Sequence, residues 1–392
     1  MSTRVDVFFS IDEKTSHSKI SELSIAYLLQ FDDDSSPLTL AILDSMPLAR
    51  YAAEHWIDHV KSGGMDSSVL QLILHLFTSE SAAFKNWIRI HDIDMPWYYM
   101  TKVDLDKNVF CSPLYYSSLA GMEEVSGCLL QTENVNAKGG THGNALQAAS
   151  YEGNEAIVKM LLENGAEVNA EGGRHGSALQ ALAASYKGNE AIVKMLLENG
   201  AEVNAKGGRY GNALQAASYE GNEAIVKLLL ENGAEVNAEG GVCGNALQAA
   251  LFVGNEAIVK LLLENGAEVN AEGAEYGNAL QAASHMGKEA IVKMLLENGA
   301  EVNAEGGVCG NALQAASYNG NEAIVKLLLE NGAEVNAEGG EYGNALQAAL
   351  FIGNEAIVKL LLENGAKVNA EGGEYGNALQ AALGNEAIVK LV

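Results

Sequence analysis

GNALQAASYEGNEAIVKMLLENGAEVNAEGG, residues 143–173, decides the fold, because it recurs with few changes to the end of the chain. Copies start at Gly143, Gly176, Gly211, Gly244, Gly277, Gly310, Gly343 and Gly376, a spacing of about 33 residues. Seven copies are full and the eighth stops at Val392. Within one copy, Asn144 and Gln147 have capping-box spacing and Ala145 to Ala149 are good helix formers, so a short first helix is expected. Gly153 breaks it and Asn154 can cap the next. Ile157, Val158, Leu161 and Leu162 then give the second helix one apolar face, and Asn164-Gly165 supplies a left-handed stop. Glu155, Lys159 and Glu163 form i,i+4 pairs on the other side, a solvated face. Residues 166–173, with one inward valine, an asparagine and a glycine pair, read as an extended turn between copies.

A helix pair this short cannot bury its apolar face alone, so neighbours must stack, and the expected fold is an all-α solenoid. A weaker copy, SPLYYSSLAGMEEVSGCLLQTENVNA, runs from Ser112 to Ala137. Four regions follow: a helical N-terminal region over 1–109, a degenerate first repeat over 110–142, seven repeats over 143–375 and a truncated last repeat over 376–392. The second full copy reads ALQALAASYKGNE, two residues longer than its neighbours, so its first helix must bulge or its turn lengthen around Leu182 to Ala184. The last copy reads AALGNEA, two residues shorter, which leaves its outer face frayed or apolar. The N-terminal region holds all three tryptophans, and helical patterns run over Ile20–Phe31, Leu48–Lys61, Ser67–Phe77 and Ser81–His91. These helices are expected to pack on the first repeat and cover its apolar edge.

The repeat resembles the ankyrin consensus, in which a T-P-L-H-x-A-A helix, a glycine, a V-V-x-L-L-L helix and G-A-x-V-N-A follow in order. Ser112-Pro113-Leu114-Tyr115 is nearest to the consensus opening, and later copies carry Asn-Ala-Leu-Gln there. The N-terminal stretches ISELSIAYLLQFD, PLARYAAEHWIDHV and NWIRIHDIDMPW, with SPLYYSSLAG, resemble the segment preceding the ankyrin array in fungal NACHT-ankyrin receptors. That resemblance implies a sensing or partner-binding arm, with the NTPase in a separate module.

The net charge of -27 is spread along the chain, which repels phosphate backbones and anionic lipid, so neither nucleic acid nor a membrane surface is an expected partner. No apolar run is long enough to span a bilayer, and Met1 to Asp12 lacks the pattern of a signal peptide. Cys243 and Cys309 occupy the same place in repeats two units apart, too distant for a disulfide, so free thiols and a cytoplasmic location are expected, with the nucleus left open.

No phosphate-loop motif is present, and the recurring GGxxG is a turn between repeats, since every copy carries it. His55 and His59 in HWIDH could share a helix face for zinc, yet no third ligand stands at a matching spacing. No nucleophile elbow appears and no cysteine has a recognisable histidine partner. The expectation is therefore no catalytic residue, no metal, no cofactor and no small-molecule substrate.

The few positions that vary are informative. Before the first helix stand His142, Arg174 with His175, Arg209 with Tyr210, Tyr276, Tyr342 and Tyr375, and at its end stand Tyr219, Phe252, His285, Tyr318 and Phe351. In the ankyrin family these places are finger tips and inner helices that line a concave groove. The resemblance thus implies a non-catalytic scaffold binding a protein partner there, through aromatic side chains of the type enriched at binding hot spots. The groove is expected to be basic and polar in its first third, and more apolar and acidic beyond.

Overall fold

A computed structural model describes residues 12–33, 38–78, 81–95, 109–273 and 277–373, with 376, 377, 380 and 382. These residues form 21 α-helices and one 3-10 turn, with isolated β-bridges and no longer strand. They divide into two compact units, Met1–Leu182 with Glu198–Ala201, and Ala183–Leu197 with Glu202–Val392.

Each repeat follows the local chemistry of its sequence. In the first full copy the inner helix is Ala145–Glu152, where the Asn144 side chain accepts the Gln147 amide at 2.9 Å and Gly153 ends the helix in the left-handed region. The outer helix, Glu155–Glu163, buries Ile157, Val158 and Leu161 and leaves Leu162 half-buried. Burying three aliphatic side chains of this kind contributes about 1.5–3 kcal/mol each. Lys159 and Glu163 pair at 4.0 Å, mostly exposed, as the solvated face required.

Beyond the outer helix the chain forms a finger. Gly139 and Gly143 make an antiparallel bridge, and the same bridge recurs at Gly172 and Gly176, Gly207 and Gly211, and Gly240 and Gly244. Neighbouring fingers touch through their backbones: the Arg174 amide donates to the Thr141 carbonyl at 2.7 Å, and in the second unit Glu341 donates to Val308 at 3.1 Å. A Cβ on Gly173 would collide with the His142 carbonyl, and Gly173 itself has φ of 62°, so only glycine permits this approach.

Two side-chain amides tie repeat to repeat. Gln215 Nε2 donates to the carbonyls of Ala238, Gly240 and Gly244 at 2.9, 3.2 and 3.0 Å, in the next finger. Gln314 does the same to Ala337 and Gly343 at 3.0 and 3.1 Å. Asn237 donates to the Gly266 carbonyl at 3.0 Å and accepts the Glu268 amide at 2.9 Å, a two-point clamp repeated by Asn204, Asn270, Asn303 and Asn336. The expected capping box is complete at Asn278 with Gln281 and at Asn311 with Gln314, where one glutamine amide serves both the cap and the next finger.

The longer second repeat lengthens its turn. Its inner helix is Ala178–Ala183, six residues against eight in the first copy, and the extra residues form a turn in which Tyr186 is exposed. The division between the two units falls at this helix. Most of the shortened last copy lies outside the described residues.

In the N-terminal region the helices are Glu13–Leu28, Leu40–Ser45, Ala49–Gly63, Ser67–Leu76 and Ala82–Ile90, with a 3-10 turn over Leu29–Phe31. The first begins earlier than its apolar pattern, and the polar turns at its start rest on His17, whose Nδ1 lies 2.7 Å from His59 Nδ1. Leu40–Ser45 was not expected; Thr39 caps it by accepting the Ile42 amide at 3.3 Å. Trp56, Phe77, Phe84 and Trp87 form a buried aromatic core that reaches Tyr116 of the first, degenerate repeat. Asp94 joins the same elements: it accepts the Tyr115 hydroxyl at 2.6 Å and the Thr141 amide and hydroxyl at 2.8 and 2.6 Å. Within this unit the N-terminal helices do cover the first repeat.

Replacing Gln215 by Ala removes the side-chain donor from three finger carbonyls, of which Gly244 keeps the Gly240 amide. It should cost about 1–3 kcal/mol, read as a lower urea midpoint by circular dichroism. Asp94→Ala, which also leaves Tyr115 buried without its acceptor, should cost at least as much.

Candidate functional site

The period itself places the variable side chains together. A finger residue meets the inner-helix end nine positions on in its own repeat and the one twenty-four positions back in the repeat before, as Tyr342 meets Phe351 at 5.8 Å and Tyr318 at 4.3 Å. The two sets of positions are thus one surface.

In the first unit, His142 lies 4.5 Å from Tyr151, and the Tyr151 ring stacks on His175 at 4.9 Å. Both imidazoles are buried, whereas Arg174 is exposed. Burial holds the His142 imidazole below its ordinary pKa, against the pull of the Asp94 and Glu152 carboxylates and with the help of Arg174.

In the second unit, Tyr210 lies 5.0 Å from Tyr219, which stacks on Phe252 at 5.4 Å. The Tyr210 hydroxyl donates to Glu220 Oε1 at 3.1 Å, and the exposed Arg209 guanidinium sits 5.8 Å above the Tyr210 ring. Burial beside Glu220 pushes the Tyr210 phenol up to about 12, and burial also raises the Glu220 carboxyl. A further run joins His285, Tyr318, Tyr342 and Phe351, with His285 and Tyr318 nearly parallel at 6.0 Å. Tyr276 and Tyr375 lie outside the described residues.

Two further positions that vary between repeats, not chosen as contact residues from the sequence, belong to the surface. Tyr151 completes the stack between His142 and His175, and Cys309 lies 3.4 Å from His285 Nδ1, so one cysteine does have a histidine neighbour. The separation of twenty-four residues, the same as between Tyr318 and Tyr342, was the signal that could have found the pair. Cys309 is buried, and burial with the nearby Glu341 raises its thiol pKa, which disfavours a nucleophilic thiolate. His59 engages His17 through Nδ1 and the Tyr51 hydroxyl through Nε2, both at 2.7 Å. Among the described residues no group of three His, Cys, Asp or Glu side chains could hold a metal ion. No described helix is long and apolar enough to cross a membrane.

A family model described as ankyrin repeats (3 copies) matches residues 174–240, 214–306, 246–339, 280–372 and 313–392, together more than half of the chain, and a single ankyrin-repeat model matches 143–172. The azaphilone pigments biosynthesis cluster protein L of Monascus ruber is 37% identical over 170 residues, 41% of this chain. The chain spans 36% of that relative's length. The human ASB11 ankyrin repeat domain is similar at 28% identity and a TM-score of 0.49, over 55% of this chain and 96% of that one.

Because the folded state holds His142 below its ordinary pKa, the stability it contributes is fully present above about pH 6.5 and is lost as pH falls from there. Urea midpoints at pH 7.5 and 5.5 should therefore differ less in His142→Gln than in the unaltered chain, with the titrations of His59 and His91 common to both.

Proposed function

The chain belongs to the ankyrin-repeat family, and on that premise we propose that it is a non-catalytic scaffold that holds a protein partner on the face built from its fingers and inner helices. The observation that carries this reading is the aromatic surface: rings from successive repeats stack along that face in each unit, at the positions where near-identical repeats differ. Such rings offer large contact area at low entropic cost, which is the chemistry of interface hot spots. Elsewhere the outer helices repeat the same exposed Lys–Glu pairs, which discriminate nothing.

In this proposal residues 1–109 are a helical cap, 110–142 a degenerate first repeat, 143–375 the binding array and 376–392 a shortened last repeat, working in the cytoplasm. A fuller form makes the chain the partner-sensing arm of a NACHT-type NTPase receptor. What supports it is the likeness of residues 20–32, 47–60 and 86–97 to the segment preceding such arrays.

The test is affinity capture with the full chain as bait and a Tyr210→Ala, Tyr342→Ala variant as control. A partner retained by the first should bind the second at least about thirtyfold more weakly, as expected for the loss of a hot spot worth ~2 kcal/mol. Equal recovery on both baits sinks the reading.

A further inference from the structure

The exposed large apolar side chains of the second unit have a pattern. Val242, Phe252, Val253, Val308, Phe351 and Ile352 are 42–54% exposed, and all occupy the varying finger and inner-helix positions. The seventh such side chain, Tyr186, aligns in sequence with the inner-helix-end positions and stands in the turn after Ala178–Ala183. Two of the inner helices, Ala246–Val253 and Ala345–Ile352, end in Leu-Phe-Val and Leu-Phe-Ile, where others end in Ser-Tyr-Glu or Ser-Tyr-Asn. Their phenylalanines stack on Tyr219 and lie near Tyr318 and Tyr342, so the exposed apolar edges continue the ring stacks and are not isolated.

Acid borders most of them, with Arg209 the cation at the start of the run: its guanidinium lies 5.8 Å over the Tyr210 ring and its carbonyl accepts the Val242 amide at 3.1 Å. The fingers between residues 239 and 373 carry Glu239, Glu272, Glu305, Glu338 and Glu371, with Glu341 beside the Cys309 and Tyr342 finger positions, all exposed. The described finger residues 239–242, 272–273, 305–308, 338–341 and 371–373 include no lysine or arginine. At the turns that follow the inner helices in this stretch the cation is Lys288, next to Gly254.

We propose that this face of the second unit takes a polypeptide segment in which aliphatic or aromatic side chains alternate with lysine or arginine. The inference rests on the scaffold reading above and adds the chemistry of the occupant. Apolar side chains of the segment cover the phenylalanine and valine edges and remove them from water. Its cations lie against the glutamate fingers, which speeds encounter and rejects acidic competitors, and raised salt weakens the contact. An acidic segment would set carboxylate against carboxylate.

Three labelled synthetic peptides, alternating leucine with lysine, with glutamine or with glutamate, are titrated against the full chain by fluorescence anisotropy. Two variants accompany it: Phe252→Ser with Phe351→Ser on the face, and Glu231→Gln with Glu264→Gln on the outer helices. Both phenylalanines are exposed, so the first variant should keep its helical circular dichroism. The lysine peptide should bind at least about tenfold tighter than the other two, lose at least about tenfold with the face variant, and change little with the outer-helix variant. Tightest binding by the glutamine or glutamate peptide, lost with the face variant, overturns the charge class and keeps the scaffold reading. If outer-helix changes weaken the lysine peptide as much as face changes do, bulk charge is responsible and the inference fails. Should the face variant alter no peptide's binding, the inference and the scaffold reading fall together.

Discussion

A short helix pair leaves two debts when it stacks on a copy of itself: an apolar face, and the carbonyls of a turn that is neither helix nor sheet. Leucine, isoleucine and valine settle the first. The second falls to the amide of one glutamine, which reaches from the inner helix into the following finger and satisfies up to three carbonyls there. A carboxylate could not donate to those carbonyls, and a hydroxyl could not span them. Everything the fingers do depends on this bond, because it fixes the backbone from which the variable side chains project. The asparagine clamp adds a second fixed point on the other side of each finger, between one repeat's turn and the backbone after the next outer helix.

The amide pairing also explains why the departure from the ankyrin opening is harmless. Where the consensus has threonine and histidine, these repeats have asparagine and glutamine, and the replacement performs both tasks: Asn311 caps the helix and Gln314 joins cap to finger. The first, degenerate repeat solves the same problem differently. Its Tyr115, at the glutamine position, reaches Asp94 of the preceding region and the backbone of His142, so a phenol and a carboxylate replace the amide where the array begins.

Much of this was legible in advance. The period, the two helices, the inner-helix caps and the apolar residues Ile157, Val158 and Leu161 all follow from local pattern, because each repeat sees the same neighbours. Asn154, read as the cap of the outer helix, instead donates its side-chain amide to the Ser118 carbonyl of the repeat before at 2.9 Å. The N-terminal helices were found wherever an apolar stripe marked them. Glu13 to Lys19 and Leu40 to Ser45 were missed, since the first is polar and held by the contact of His17 with His59, and the second is a short piece set by one threonine cap. The candidate surface was half visible. Residues were chosen because they vary, but which would touch required the rule that a finger lies against two inner helices, and that rule brings in Tyr151 and Cys309. The asparagine clamp was overlooked for the opposite reason: it never varies, so it resembled a turn residue and nothing more.

Because the glutamine and asparagine bonds run from side chain to backbone, these ties do not depend on the side chains of the following repeat, and the apolar residues that complete the junction are the same in each copy. Insertion or loss of whole repeats in register therefore leaves these ties intact, while the ring stacks along the variable face change with the copy that is added. An addition out of register lacks that freedom, and the two extra residues of the second full repeat show the result, a shortened inner helix at the place where the chain divides into separate compact units. In such a protein length is a heritable variable in its own right, adjustable independently of the chemistry displayed on any one finger.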